Sequence, residues 1–217
     1  MKTIRILIAD DHDIVREGLR RLLESKPKWM ICDEAATGRE AVSKAREHKP
    51  DVAVLDFSMP ELNGLEATRQ IRKLLPQTEV LILTMHDSEQ LAREILEAGA
   101  RGFVLKTHAK RQLVPAVLAL SEHKTYFDSQ VSALMLDAFL HPEKAALKRG
   151  ASGRLTSRER EIVQLIAEGR TSKEVAAQLS VSVKTVEAHR ANLMNKLNLH
   201  STSQLVLYAV RNRIVQM

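Results

Sequence analysis

Five polar residues stand where apolar runs stop. Asp10 and Asp11 follow "IRILIA", Asp56 closes "VAVLD", Thr84 closes "EVLILT" and Lys106 closes "GFVLK". Three carboxylates gathered in one crevice repel one another and raise each other's pKa unless a cation sits among them. A divalent ion is the natural remedy. Mg²⁺ suits oxygen donors because it keeps several waters and leaves positions for phosphate oxygens. In such a site Asp56 has the chemistry of a nucleophile that accepts a phosphoryl group, and the Lys106 ammonium that of a counter-charge to the transferred group. Thr84 offers a hydroxyl to a phosphoryl oxygen. Taken singly, each has a plainer reading: Asp10 or Asp11 caps a helix starting near Ile14, Thr84 is a strand-end hydroxyl, and Lys106 is a solvated charge. Their joint occurrence at the ends of four strands favours the chemistry.

Ligands of an open parallel sheet bind beyond the carboxyl ends of its strands, so the elements have to form such a sheet. The first part of the chain alternates "IRILIA", "IVREGLRRLLE", "WMICDEAAT", "REAVSKAREH", "VAVLD", "LEATRQIRKLL", "EVLILT", "EQLAREILEAG", "GFVLK" and "KRQLVPAVLALSE". These are five βα units. Almost wholly apolar strands are covered on both faces, which predicts an α/β fold with a doubly wound, five-stranded parallel sheet between helices over residues 1–122. Residues 123–150 read as a linker that contains a helical patch, "SALMLDAFL", and runs into "HPEKAALKRGASG", rich in Pro, Gly and Ser. Residues 151–217 read as a small all-α domain. Its helices are announced by Ser/Thr-x-x-Glu/Gln pairs: Thr156 with Glu159, Thr171 with Glu174, and Ser201 with Gln204.

The formal charge of +6 is unevenly spread. Lys and Arg balance Asp and Glu at 19 each up to Glu122, whereas residues 151–217 carry 10 basic against 5 acidic residues. The excess sits where a polyanion would bind. No apolar run approaches the length of a membrane span, and the opening "MKTIRILIADD" is too short in its apolar part for a secretory signal. The single Cys32 forms no intrachain disulfide, which fits a reducing, cytoplasmic location, and it reads as a small core hydrophobe.

In the basic third, a helix ending at Gly169 precedes one from about Ser172 to Leu179 and another that begins after Ser182. The last two, joined by a short turn, read as helix-turn-helix, in which the second helix enters the major groove of DNA. Val186, Leu193 and Leu197 share one face of that helix; Lys184, Ala188, Ala191 and Asn195 line the opposite one. Two alanines let the backbone approach bases and offer methyls to thymine, while Lys184 and Asn195 reach base edges or phosphates. Arg190 and Lys173 suit phosphates, which position without reading sequence. Thr185 and Glu187 complete the candidate set, although Glu187 in the first turn also suits the helix dipole. His189 reads as a packing or phosphate-contacting residue. An ordinary amphipathic helix with a solvated face accounts for the wheel equally well, and the regional charge favours DNA.

Through "ADD", "VLDFSMPELNG", "LILT" and "GFVLK", residues 1–122 resemble the receiver domains of two-component response regulators. The resemblance implies a flavodoxin-like sheet with Asp56 as phosphoacceptor. It makes Asp11, Asp56 and the Ser58 carbonyl direct Mg²⁺ ligands and Asp10 a ligand through water. Thr84 and Phe103 become the switch pair and Lys106 the phosphate-binding cation. Thr107 stands where many receivers have proline, so the resemblance carries no cis peptide there. Ser58 and His86 occupy positions that tune phosphate lifetime in such domains. "LTSREREIVQLIAEGRTSKEVAAQLSVSVKTVEAHRANLMNKL" resembles LuxR-type DNA-binding domains, and both together imply the LuxR/NarL class. The class implies a sensor histidine kinase and double-stranded promoter DNA as partners, and a homodimer when active, supported by the last helix near Ser203 to Asn212.

The expected function is therefore a cytoplasmic transcription regulator controlled by phosphorylation, with no enzymatic turnover and no membrane partner. A rival is an aspartyl-phosphate hydrolase, but such phosphatases usually carry a second Asp two residues after the nucleophile, where this chain has Ser58. A third reading makes the helical domain a protein-docking module.

Overall fold

The computed structural model describes residues 3–127, residue 132 and residues 155–215. The chain divides into two compact units, 1–146 and 147–217. Most of the helical patch and the linker expected at residues 132–153 lies outside the described residues.

In the first unit β1 (Ile4–Ala9), β2 (Trp29–Ala35), β3 (Val52–Asp56), β4 (Glu79–Thr84) and β5 (Gly102–Leu105) alternate with α1 (Asp13–Glu24), α2 (Gly38–His48), α3 (Gly64–Leu74), α4 (Glu89–Glu97) and α5 (Ala109–Ser121). All strand pairs are parallel, in the order β2-β1-β3-β4-β5-β6. The sixth strand, β6 (Tyr126–Phe127), corrects the expected count of five. Two residues are too few to show a strand period, and β6 lies beyond Glu122 in the stretch that reads as linker. Each face of the sheet carries its own core. Leu7, Leu55, Ile82, Phe103 and Leu105 pack with α2, α3 and α4 residues on one side, and Ile6, Val54, Leu83 and Val104 pack with Leu19, Leu23, Leu113 and Val117 on the other. This two-sided burial explains why β3 and β4 are apolar without alternation.

The topological switch point lies between β1 and β3. Ala9 is in register with Leu55, so Asp10 and Asp56 emerge side by side from the two central strands. Lys106 does not end a strand as expected: β5 stops at Leu105, and Lys106 opens a single 3₁₀ turn, Lys106–His108. No peptide bond among the described residues is cis.

The second unit contains α6 (Ser157–Ala167), α7 (Ser172–Gln178), α8 (Val183–Lys196) and α9 (Thr202–Arg211) around a core of Leu155, Ile162, Val163, Val175, Val186, Leu193 and Leu205. Thr156 with Glu159 and Thr171 with Glu174 form two of the three expected capping boxes. At α9 the Ser201 hydroxyl accepts from the Gln204 N–H, while Gln204 Oε1 accepts from His200 N–H instead of Ser201. Gly169 ends the first of these helices in the left-handed region, at φ +85, where glycine has no Cβ penalty. Among the described residues no helix is long and apolar enough to cross a membrane.

Candidate functional site

Beyond the carboxyl ends of β1 and β3, Asp10 is fully buried and Asp56 nearly so. The Lys106 ammonium reaches between them from the turn after β5, 2.8 Å from Asp10 Oδ2 and 3.0 Å from Asp56 Oδ1. Burial drives the Asp56 carboxyl upward; Lys106 opposes this, Asp10 adds to it, and the result is a pKa pushed up from 3.8 to about 6. Burial alone would lower the Lys106 pKa, but the two carboxylates outweigh it and hold the ammonium above the ordinary lysine range. One cation between two buried anions leaves the pocket short of positive charge.

Asp10 does not cap α1. Its Oδ1 accepts from His12 N–H at 2.9 Å, and the α1 N-cap residue, His12, makes no side-chain cap. Asp10 Oδ2, although beside Lys106, has no directed hydrogen bond. Asp11 is more exposed, and its Oδ1 lies 2.7 Å from His12 Nδ1. Possible ligand atoms of Asp10, Asp11, His12 and Asp56 all fall within 4.8 Å of one another. Two buried carboxylates that share one ammonium, with the Asp11 carboxylate within reach, fit a divalent cation held by oxygen donors.

The loop after Asp56 is held by close backbone approaches. A Cβ on Gly64 would lie 2.2 Å from the Asp56 carbonyl oxygen, and one on Gly38 would lie 1.8 Å from that of Leu62. Gly64 N–H donates to the Phe57 carbonyl at 2.9 Å, and Asn63 caps α3 by accepting from Glu66 N–H at 3.0 Å. "ELNG" is thus the hinge that turns the chain away beneath the carboxylate. The Ser58 N–H also donates to Asp56. Thr84 and Phe103 are both buried, and Thr84 Oγ1 accepts from His86 N–H at 3.2 Å. The Phe103 ring already lies inside the core.

In the second unit the four-residue turn Leu179–Ser182 joins α7 to α8. Ser182 caps α8 by accepting from Thr185 N–H at 3.0 Å. Val186 and Leu193 are buried in the core, whereas Lys184, Thr185, Glu187, Ala188, Ala191 and Asn195 are exposed, as is Lys173 on α7. The pair is braced by Arg158, which donates to the Leu179 carbonyl at 3.1 Å, and by Lys196, which donates to Glu159 at 2.7 Å. Arg190 is half-buried and donates to the Thr202 hydroxyl at the start of α9. Two faces of one helix are therefore separated: an apolar face fixed to the core, and an open face of small and polar residues.

Residues 6–118 match the response regulator receiver domain family, and residues 153–209 match the bacterial regulatory proteins of the luxR family. The chain belongs to the response regulators with a LuxR-type DNA-binding domain. It is 40% identical over 217 residues to the oxygen regulatory protein NreC of Staphylococcus epidermidis, covering 98% of this chain and 100% of that one. It is similar to the crystal structure of a LuxR-family two-component response regulator from Aurantimonas sp., at 37% identity and TM-score 0.61, over 64% of this chain and 99% of that one. It is also similar to the response regulator RcsB in its complex with DNA, at 27% identity and TM-score 0.59, over 95% and 98% of the two chains.

For this response regulator, the structure brings together the residues that the sequence placed at separate strand ends: Asp10, Asp11, Asp56 and Lys106 share one pocket. Thr84 and Phe103 occupy neighbouring buried strands of the same core. Gly38 and Gly64 were not among the sequence candidates, because a lone glycine does not tell a close approach from an ordinary turn. His12 was missed as well; it is adjacent in sequence to the carboxylates, and only the fold turns its ring toward Asp11.

Proposed function

We propose that this transcription regulator accepts a phosphoryl group on Asp56 from a sensor histidine kinase. The observation that carries the reading is the Lys106 ammonium held between Asp10 and Asp56 at the carboxyl ends of β1 and β3. An Asp56 carboxylate oxygen forms the new O–P bond as the P–N bond of the phosphohistidine breaks and the imidazole leaves with the electron pair. Lys106 balances the charge that arrives, and the Thr84 hydroxyl turns from His86 N–H toward a phosphoryl oxygen. Asp10, Asp11, Asp56 and the Ser58 carbonyl would hold Mg²⁺, which supplies further positive charge to the phosphoryl oxygens when bound. Phe103 packs beside the region that Thr84 leaves and serves as the second switch residue.

Output is binding of promoter DNA by α8. Lys184, Ala188, Ala191 and Asn195 face the bases, with Thr185 and Glu187 at the entry of the helix, while Lys173 and Arg190 hold phosphates. The regulator works in the cytoplasm, pairs as a homodimer on its operator and has no substrate turnover of its own. We assign residues 1–122 with the added strand β6 to the receiver, residues 151–217 to DNA binding, and the intervening stretch to the linker.

The test is intact-protein mass spectrometry after incubation with acetyl phosphate and Mg²⁺. A phosphoryl adduct that maps to Asp56 and is absent in Asp56→Asn is expected; an adduct that persists in Asp56→Asn would assign the nucleophile elsewhere.

A further inference from the structure

The sheet carries one row of residues in lateral register across all six strands. Ala35 pairs with Ala9, Ala9 with Leu55, Leu55 with Ile82, Ile82 with Phe103, and Phe103 with Phe127. Register partners in neighbouring strands point to the same face; the first five belong to one buried core cluster, and half-buried Phe127 packs against it. Two members of the row immediately precede the buried carboxylates, since Ala9 is followed by Asp10 and Leu55 by Asp56. The far member, Phe127, sits in the strand from which the chain runs on toward the DNA-binding domain.

We propose that Phe127 is a positioning residue for Phe103: by closing this row, it ties the packing of the switch strand to the docking of β6. The proposal rests on the reading of Asp56 as phosphoacceptor and of Phe103 as part of the switch. Phe103 is 1% exposed, so its ring has no solvent position to leave. A displacement toward Thr84 must instead be taken up by its neighbours in a close-packed core. Leu55 and Ile82 lie in central strands paired on both sides, whereas Phe127 is only half-buried at the sheet edge. It is the neighbour that yields.

The attachment of β6 is slight enough to respond. Two ladder pairs join it to β5, and Tyr126 N–H donates to the Arg101 carbonyl at 2.9 Å. Just before it, His123 Nδ1 lies 2.9 Å from buried Glu79 Oε1, and Arg101 donates to the His123 carbonyl at 3.2 Å. These interactions hold the root of β6 at the opposite end of the sheet from Asp56. Phosphorylation therefore loosens Tyr126 and Phe127 while His123 stays anchored.

The experiment is hydrogen exchange of the full-length protein, followed residue by residue, before and after phosphorylation by acetyl phosphate with Mg²⁺. The Tyr126 amide is expected to exchange about five-fold faster in the phosphorylated protein, the ratio that one hydrogen bond of about 1 kcal/mol supports, with the central-strand amide of Val54 unchanged. Phe127→Ala should reproduce the faster exchange without phosphate, and Phe127→Leu, which keeps an apolar side chain in the row, should restore most of the slow exchange. Each variant also reports the Phe103 amide, which a merely local edge effect would leave unmoved. An Asp56 adduct with unaltered Tyr126 exchange overturns the proposal, as does a Phe127→Ala protein whose Phe103 amide is unchanged. Absence of any adduct overturns the phosphoacceptor reading instead, and the Phe127 variants then decide the row on their own.

Discussion

At the scale of single residues the pocket is governed by uncompensated charge. Asp56 has its pKa pushed up from 3.8 to about 6 by burial first. A carboxyl group with a raised folded-state pKa binds protons more tightly when folded, so its protonated form stabilises the fold, and that contribution is lost as pH rises through about 6. Metal-free protein should therefore be stabilised by Asp56→Asn increasingly as pH goes from about 4 to about 6, by up to about 3 kcal/mol, the equivalent of a two-unit shift, and by a constant amount above that. Paired thermal melts of the two proteins across that interval check this, and a constant Tm difference contradicts it. Mg²⁺ affinity should rise over the same interval, because the cation competes with the proton on Asp56. A second residue-level expectation concerns the glycine that lets the loop turn. Gly64→Ala places a methyl 2.2 Å from the Asp56 carbonyl oxygen, against backbone that cannot rotate away. A destabilisation of about 1 to 3 kcal/mol, read from denaturant melts, is expected together with a reduced yield of phosphorylated Asp56. Of this pocket the sequence makes legible the residues whose chemistry is unusual for a strand end. It does not make legible Gly64 or His12, whose roles depend on which backbone or ring the fold brings near them.

At the scale of elements, legibility follows the strength of the periodic signal. β1, β3 and β4 are found within their sequence bounds because each carries four consecutive apolar residues, a run with no other use in a polar chain. β6 is not, since Tyr126–Phe127 becomes a strand only through pairing with Gly102 and Phe103. In the second unit the capping pairs fix where α6 and α7 begin, and the two-faced pattern of α8 emerges as read: Val186 and Leu193 inside, Lys184, Ala188, Ala191 and Asn195 outside. The tie from Arg190 to Thr202 is tertiary and leaves no mark in either helix alone. Ser182→Ala should remove the cap of α8 and cost about 1 kcal/mol of stability in the DNA-binding unit, seen by thermal melting. Lys184→Ala with Asn195→Ala should leave that stability unchanged and weaken specific DNA binding by about 1 to 3 kcal/mol for each base no longer hydrogen-bonded. Lys173→Ala, in contrast, should weaken binding to all sequences alike and lower the slope of log K against log salt by about one. Equal weakening on specific and random DNA for the double variant would remove α8 from its reading role.

At the scale of the whole molecule, each unit has a core of its own, and the charge balance of the first contrasts with the basic excess of the second. Control then means that a phosphoryl group received in the first unit alters DNA binding by the second. Moving a population from 1:99 to 99:1 takes a difference of about 5.5 kcal/mol, whereas a single hydrogen bond from Thr84 contributes about 1. Under the proposed function, phosphate alone would accordingly shift the population in part, and pairing of two copies on DNA would complete it. The measurement that bears most directly on this account is the affinity of the full-length protein for its operator, at one fixed salt concentration, before and after phosphorylation by acetyl phosphate with Mg²⁺, with Asp56→Asn treated identically. The account predicts tighter binding after treatment for the unsubstituted protein and no response from Asp56→Asn. Equal affinity of the phosphorylated and unphosphorylated forms, with the adduct on Asp56 verified by mass, would contradict it.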